Sequence, residues 1–179
     1  MNELMRRRRA IIAKSKVVIL FKNGVWHSSL GTVSAPFVPS GTRFQDAALP
    51  QTLETSPSIL MTATRADSSP ERKCFCFSFE NAISFSAFSR PQIVIEFSCA
   101  NFKSDGYFYF SDASFPSVVD ESDASVNKRS TKGLAKGDYL FAIPIEETNQ
   151  ISLFIVEKIA PETVMTLTIK EIRIEEGSA

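Results

Sequence analysis

The sequence holds a single histidine, His27, and only three cysteines, Cys74, Cys76 and Cys99. One imidazole excludes most histidine-based mechanisms. A serine triad needs a base with an orienting acid, and no GxSxG elbow is present. His27 stands beside Trp26 and reads as a strand residue packed at a sheet rim. Three thiols are an odd number without the spacing of a secreted disulfide framework. A CxC pair plus Cys99 does not make a four-ligand metal set either. The thiols are expected to be reduced and structural, in a protein made in a reducing cytoplasm, with no bound metal. No run of about 18 apolar residues occurs, so no helix is expected to span a membrane. Glycine is scarce, at 7 residues, and none builds a phosphate loop or a strand–glycine–helix unit, which argues against nucleotide chemistry. No cofactor and no enzymatic activity are expected.

What the chain does have is phenylalanine: 15 residues, within a hydrophobic fraction of 44%. Many stand in alternating runs, which suits packing between two sheets. At 179 residues the simplest division is one domain, 17–179, preceded by a short arm, 1–16. Acids and bases balance at 20 each over the whole chain. The arm carries Arg6, Arg7, Arg8, Arg9, Lys14 and Lys16 against Glu3, a formal +5, so the remainder carries −5. The arm reads as a weakly amphipathic helix with Asn2 as N-cap. Alone it would be frayed, which makes it a candidate for self-association. Its apolar stretch Ala10–Ala13 is cut short by Lys14 and Lys16, too early for a secretory leader. A solvated helix face and a docking helix explain the arginines equally well. Binding to nucleic acid through phosphates is not expected, since no recognition motif accompanies them.

The clearest strand pattern lies in the C-terminal third, from Gly137 to Glu176. Tyr139, Phe141, Ile143 and Ile145 alternate with smaller or polar neighbours, the period of a half-buried strand. Ile151–Val156 is apolar on both faces, as in a strand covered on both sides. Val164–Ile174 is expected to be the longest strand, and the three together to form a meander. In that last strand Met165, Leu167 and Ile169 set one parity while Ile172 and Ile174 set the other. A bulge near Lys170-Glu171 would turn both halves inward.

Upstream, Val17–Phe21 reads as a strand closed by an Asn23-Gly24 turn, with Val25–His27 beginning the return. Between Ser28 and Ser58 the prolines indicate a long connection or short edge strands. Ile59–Thr64 resumes a strand. Phe75, Phe77 and Phe79 alternate with the cysteines, so the rings are expected to face the core and the thiols to point away. Ile83–Phe88, Ile93–Cys99 and Tyr107–Phe110 read as further strands, with a short one near Val126–Thr131. About ten strands with turns every 8–12 residues point to a sandwich or barrel.

Two resemblances follow from these stretches. The opening Met1–Ala10, with its arginine run, resembles the start of short structural proteins encoded by tailed phages and prophages of gut bacteria. Ala82–Phe85, Pro91–Phe97, Gly106–Phe110, Gly137–Ile145 and Val164–Glu175 resemble in rhythm a galactose-binding-like jelly roll, the fold of many carbohydrate-binding modules. Together they imply a jelly-roll-like antiparallel β-sandwich with a short basic N-terminal helix. They also imply a virion structural or accessory protein, tail- or fibre-associated, whose partners are other virion proteins or its own copies. The alternative they imply is a module that adheres to cell-surface glycans. For that alternative the candidate platform rings are Trp26, Tyr107, Tyr109 and Tyr139, since a sugar's C–H face stacks on an aromatic ring. The acids Asp112, Asp120, Glu121 and Asp123 match no calcium loop and read as a solvated loop.

Overall fold

The computed structural model describes residues 16–34, 52–54, 57–64, 73–100, 106–111, 124–125, 127–146, 152–157 and 164–178. The arginine run Arg6–Arg9, the expected helix and the acids at Asp112, Asp120, Glu121 and Asp123 lie outside the described residues. Twelve strands are present among the described residues: β1 (Val17–Lys22), β2 (Val25–Trp26), β3 (Thr52–Glu54), β4 (Ile59–Thr64), β5 (Lys73–Ser78), β6 (Pro91–Ala100), β7 (Tyr107–Ser111), β8 (Ala124–Ser125), β9 (Lys128–Ser130), β10 (Gly137–Pro144), β11 (Ser152–Glu157) and β12 (Val164–Glu176). The larger sheet runs β10-β6-β12-β1-β2, with β4 and β3 added beside β12. The smaller runs β5-β11-β7-β9-β8. All pairings are antiparallel, and residues of both sheets fill one core. The chain is an all-β, jelly-roll-like antiparallel sandwich.

The last strand holds the larger sheet together. β12 pairs with β6 along its length, while its other edge serves β4 through Ile169 and β1 from Glu171 onward. The register shifts between Ile169 and Glu171, where the parity change placed a bulge. Leu167, Ile169, Ile172 and Ile174 are all fully buried as a result. Asn23 and Gly24 both take positive φ, the conformation of a tight hairpin turn between β1 and β2.

Three expectations need correction. β10, β11 and β12 follow one another but form no meander, because β11 crosses to the smaller sheet between β5 and β7. Alternation specifies which face of a strand turns inward, not which sheet it joins. Ile83–Phe88 belongs to no strand; Phe88 N–H donates to the Phe85 carbonyl (2.9 Å) in a turn. An extended chain can bury Ile83, Phe85 and Phe88 without a neighbouring strand. The return strand stops at Trp26, and exposed His27 caps a 3₁₀ turn over Ser28–Leu30, its side chain accepting from Ser29 N–H.

Candidate interaction face

Along β6, Ile93, Ile95, Phe97 and Cys99 enter the core, so Gln92, Val94, Glu96 and Ser98 face outward. Cross-strand partners share a face, which extends this outer surface across five strands. One row reads Leu140, Glu96, Glu171, Lys22 and Val25. The next reads Ala142, Val94, Arg173 and Ile19, and the third Pro144, Gln92, Glu175 and Val17. Among the described residues Val17 (44%), Val25 (67%) and Leu140 (57%) are the exposed large hydrophobics, and all three lie here. Val94 is fully buried although it points outward, beside the long side chain of Arg173.

The charges between these aliphatics are organised. Lys22 Nζ lies 2.6 Å from a Glu171 oxygen. Arg173 reaches Glu171 (3.2 Å) and Glu175 (3.0 Å), and Gln92 donates to Glu175. Lys170 Nζ sits 2.7 Å from Asp138. Glu96 stands directly opposite Glu171, and among the described residues it forms no ion pair.

Burial pushes the Glu171 carboxyl up, but Lys22 and Arg173 together outweigh that and hold it below its ordinary 4.5. A carboxyl depressed in the folded state stabilises the fold above its unfolded pKa, and that contribution is lost as pH falls through the lower folded value. The window therefore lies below pH 4.5. Urea midpoints measured from pH 6 to pH 3 are expected to fall more steeply for the wild type than for Glu171→Gln. Parallel curves would show that the pairs contribute nothing.

The four platform candidates are not brought together. Trp26 is half-buried on the inner side of β2, its ring 4.9 Å from Phe21, 5.6 Å from Phe77 and 5.5 Å from Phe79. Tyr139, on the inner side of β10 at the opposite edge of that sheet, stacks on Phe97 at 5.5 Å. Its hydroxyl donates to the Ala135 carbonyl (2.8 Å). Tyr107 and Tyr109 lie on the outer face of the smaller sheet. Tyr107 is 3% exposed with Lys128 Nζ 5.6 Å from its ring centre, so as a platform it is withdrawn. Tyr109 is half-buried. None of the four rings is exposed: Trp26, Tyr109 and Tyr139 are half-buried and Tyr107 is buried.

The thiol-bearing face of β5 is also less open than alternation implied. Phe77 and Phe79 enter the core as expected, yet Cys76 is itself 1% exposed, and burial pushes its pKa up to about 12. Cys99 Sγ donates to the Ala135 carbonyl (3.1 Å). No group of three or more metal-ligating side chains occurs among the described residues. None of their helices is long and apolar enough to cross a membrane.

Sequence reasoning passed over this outer face. Leu140 was its one available mark, an apolar residue at an outward parity of β10. The pairing of Lys22 and Arg173 with Glu171 depends on register between strands distant in sequence, which no local pattern reveals.

Fold and surface thus define a β-sandwich with one ion-paired sheet face bordered by exposed aliphatics. The chain matches no family model and no curated protein sequence. Among solved structures it is similar to the K3 cleaved adhesin domain of Lys-gingipain from Porphyromonas gingivalis w83, with a TM-score of 0.40 and 7% identity. That match covers 69% of this chain and 75% of the other.

Proposed function

We propose that this chain is a non-enzymatic structural module that works by protein–protein assembly, using the outer face of the larger sheet against a second copy of itself. The supporting observation is that Val17, Val25 and Leu140 all emerge on this face. Two-fold stacking of the row Leu140–Glu96–Glu171–Lys22–Val25 on its copy sets Leu140 over Val25 and Glu96 over Lys22, with each central Glu171 facing its own copy while paired to Lys22 and Arg173 of its own chain. Self-complementarity of that kind is what an isologous interface requires. The wider setting, a tail- or fibre-associated component of a phage particle, rests on the resemblance of residues 1–10 and is part of the same proposal. The glycan-platform alternative is disfavoured by the packing of Trp26 and Tyr139 into the core.

Light scattering on the full chain is expected to give a dimer mass, and Leu140→Arg with Val25→Arg a monomer. Glu96→Lys and Lys22→Glu are each expected to weaken the dimer, and the double variant to restore it. A full chain that is monomeric at every concentration overturns the proposal. So does a dimer indifferent to all four changes. A dimer abolished by deleting residues 1–16 yet unmoved by the face variants would transfer assembly to the basic arm.

A further inference from the structure

Residues 82–88 have the pattern of a strand and no strand beside them. Ile83, Phe85 and Phe88 are buried in the core, while Ala82, Ser84, Ser86 and Ala87 are exposed. From Ala82 to Ser86 the side chains therefore alternate with the period of an extended chain. Among the described residues, the bond from Phe88 N–H to the Phe85 carbonyl is the one hydrogen bond this backbone makes. Both ends of the segment are fastened. Asn81 donates to the Leu30 carbonyl through its N–H (3.0 Å) and to the Ser29 carbonyl through its side-chain amide (3.1 Å). Ser89 and Arg90 N–H both donate to the Glu176 carboxylate (3.0 and 2.8 Å), and Gly177 N–H donates to the Arg90 carbonyl (2.8 Å). An extended chain held at both ends has little freedom left to lose when a neighbour pairs with it.

The two fastenings lie on either side of β1. Leu30 ends the 3₁₀ turn that follows β2, Glu176 ends β12, and β1 stands between β12 and β2 in the larger sheet. β1 also begins at this end, since Val17 pairs with Glu175 and Glu175 with Gln92. Two strand spacings put Val17 about 10 Å from Gln92, at the close of the segment. The residues that precede Lys16 thus reach the domain beside an open, strand-like backbone. Nearest to it in sequence is Ala10-Ile11-Ile12-Ala13, an apolar run whose two β-branched residues suit a strand. Six extended residues span up to about 20 Å, enough to lie along the segment.

We propose that residues 82–86 are a docking edge for residues 10–15 of the same chain, which add there as a short strand. Recognition is through the main chain, the mode by which an extended peptide joins a free strand edge. The short tether to β1 gives the chain's own arm a high effective concentration at the segment and so an advantage over any other occupant. Docking there confines any helix to the residues before Ala10. It also sets Arg6–Arg9 at the end of the sandwich where β1 begins.

The test uses the full chain. Ser84→Cys is combined in turn with Ala10→Cys, Ile11→Cys, Ile12→Cys, Ala13→Cys or Lys14→Cys, and the disulfides formed under mild oxidation are mapped by mass spectrometry. Disulfides within one chain are expected at every second position, because only one face of a paired strand comes within disulfide reach of residue 84. Ser84→Cys alone is expected to form none. Amide exchange on the wild type is expected to show alternate amides within 82–86 slowed by about tenfold or more. Ile12→Pro, which removes a donor, is expected to release them while the amides of β6 stay protected. The proposal is overturned by the absence of any disulfide within the chain, by disulfides between chains at the same positions, or by reactive positions three and four apart, the spacing of a helix. Unprotected amides within 82–86 overturn it as well. Because dimer mass is measured separately, failure here leaves the assembly proposal standing.

Discussion

Phe97→Ala is expected to cost about 3–5 kcal/mol of stability, the range for deleting a buried aromatic side chain. Phe97 is completely buried on β6, between β10 and β12. It touches the opposite sheet through Phe108, at 5.0 Å in an edge-to-face pair. It also meets Phe141 at 5.0 Å and Tyr139 at 5.5 Å within its own sheet. Truncation removes all three ring contacts and leaves a void that backbones in two paired sheets cannot close. Urea unfolding checks this against Leu140→Ala, an exposed site whose change should stay within about 0.5 kcal/mol. A Phe97→Ala midpoint equal to that of Leu140→Ala would show that the rings do not couple the sheets as described.

Gly31→Ala is expected to destabilise by about 1–3 kcal/mol, the cost of holding a side chain in a backbone region reserved for glycine. Gly31 sits at φ 68, ψ −143 just after the 3₁₀ turn. A Cβ there would lie 2.7 Å from Glu80 Oε2 and 2.8 Å from Asn81 Nδ2. Those two atoms clamp the segment: Thr32 N–H donates to Glu80 Oε2 (2.6 Å) and Asn81 Nδ2 donates to the Ser29 carbonyl (3.1 Å). The Thr32 N–H is also what holds the Glu80 carboxyl below the ordinary range. Substitution therefore strains the backbone and displaces the clamp together. Thermal melts of Gly31→Ala and Glu80→Gln separate the parts. A Gly31→Ala melt matching the wild type would mean the turn relaxes to another conformation at no cost.

Where the sequence was explicit, a local constraint admitted one answer. The change of parity between Ile169 and Ile172 required an extra residue, and the register shift lies there. Asn23-Gly24 required a tight hairpin, and both residues take positive φ. The partition of β10, β11 and β12 between two sheets was not legible, because each strand's pattern is satisfied by any apolar neighbour. Cys76 stands on the side its parity assigned, opposite Phe77 and Phe79, but parity does not tell how deeply a side chain is covered, and Cys76 is almost fully buried. Trp26, Tyr107, Tyr109 and Tyr139 could not be ranked from composition, since a ring serves a core and a binding surface equally well.

The place of β12 in the larger sheet bears on how the protein comes to exist at all. β1, β4 and β6 each pair with it, and each is synthesised earlier. Until residues 164–176 leave the ribosome, three nascent strands lack their common neighbour and carry an edge that no strand pairs. Pairings this distant in sequence close slowly, and such intermediates are prone to aggregate. Nascent copies are therefore expected to stick through edges that β12 later covers, while finished molecules meet through the outer sheet face.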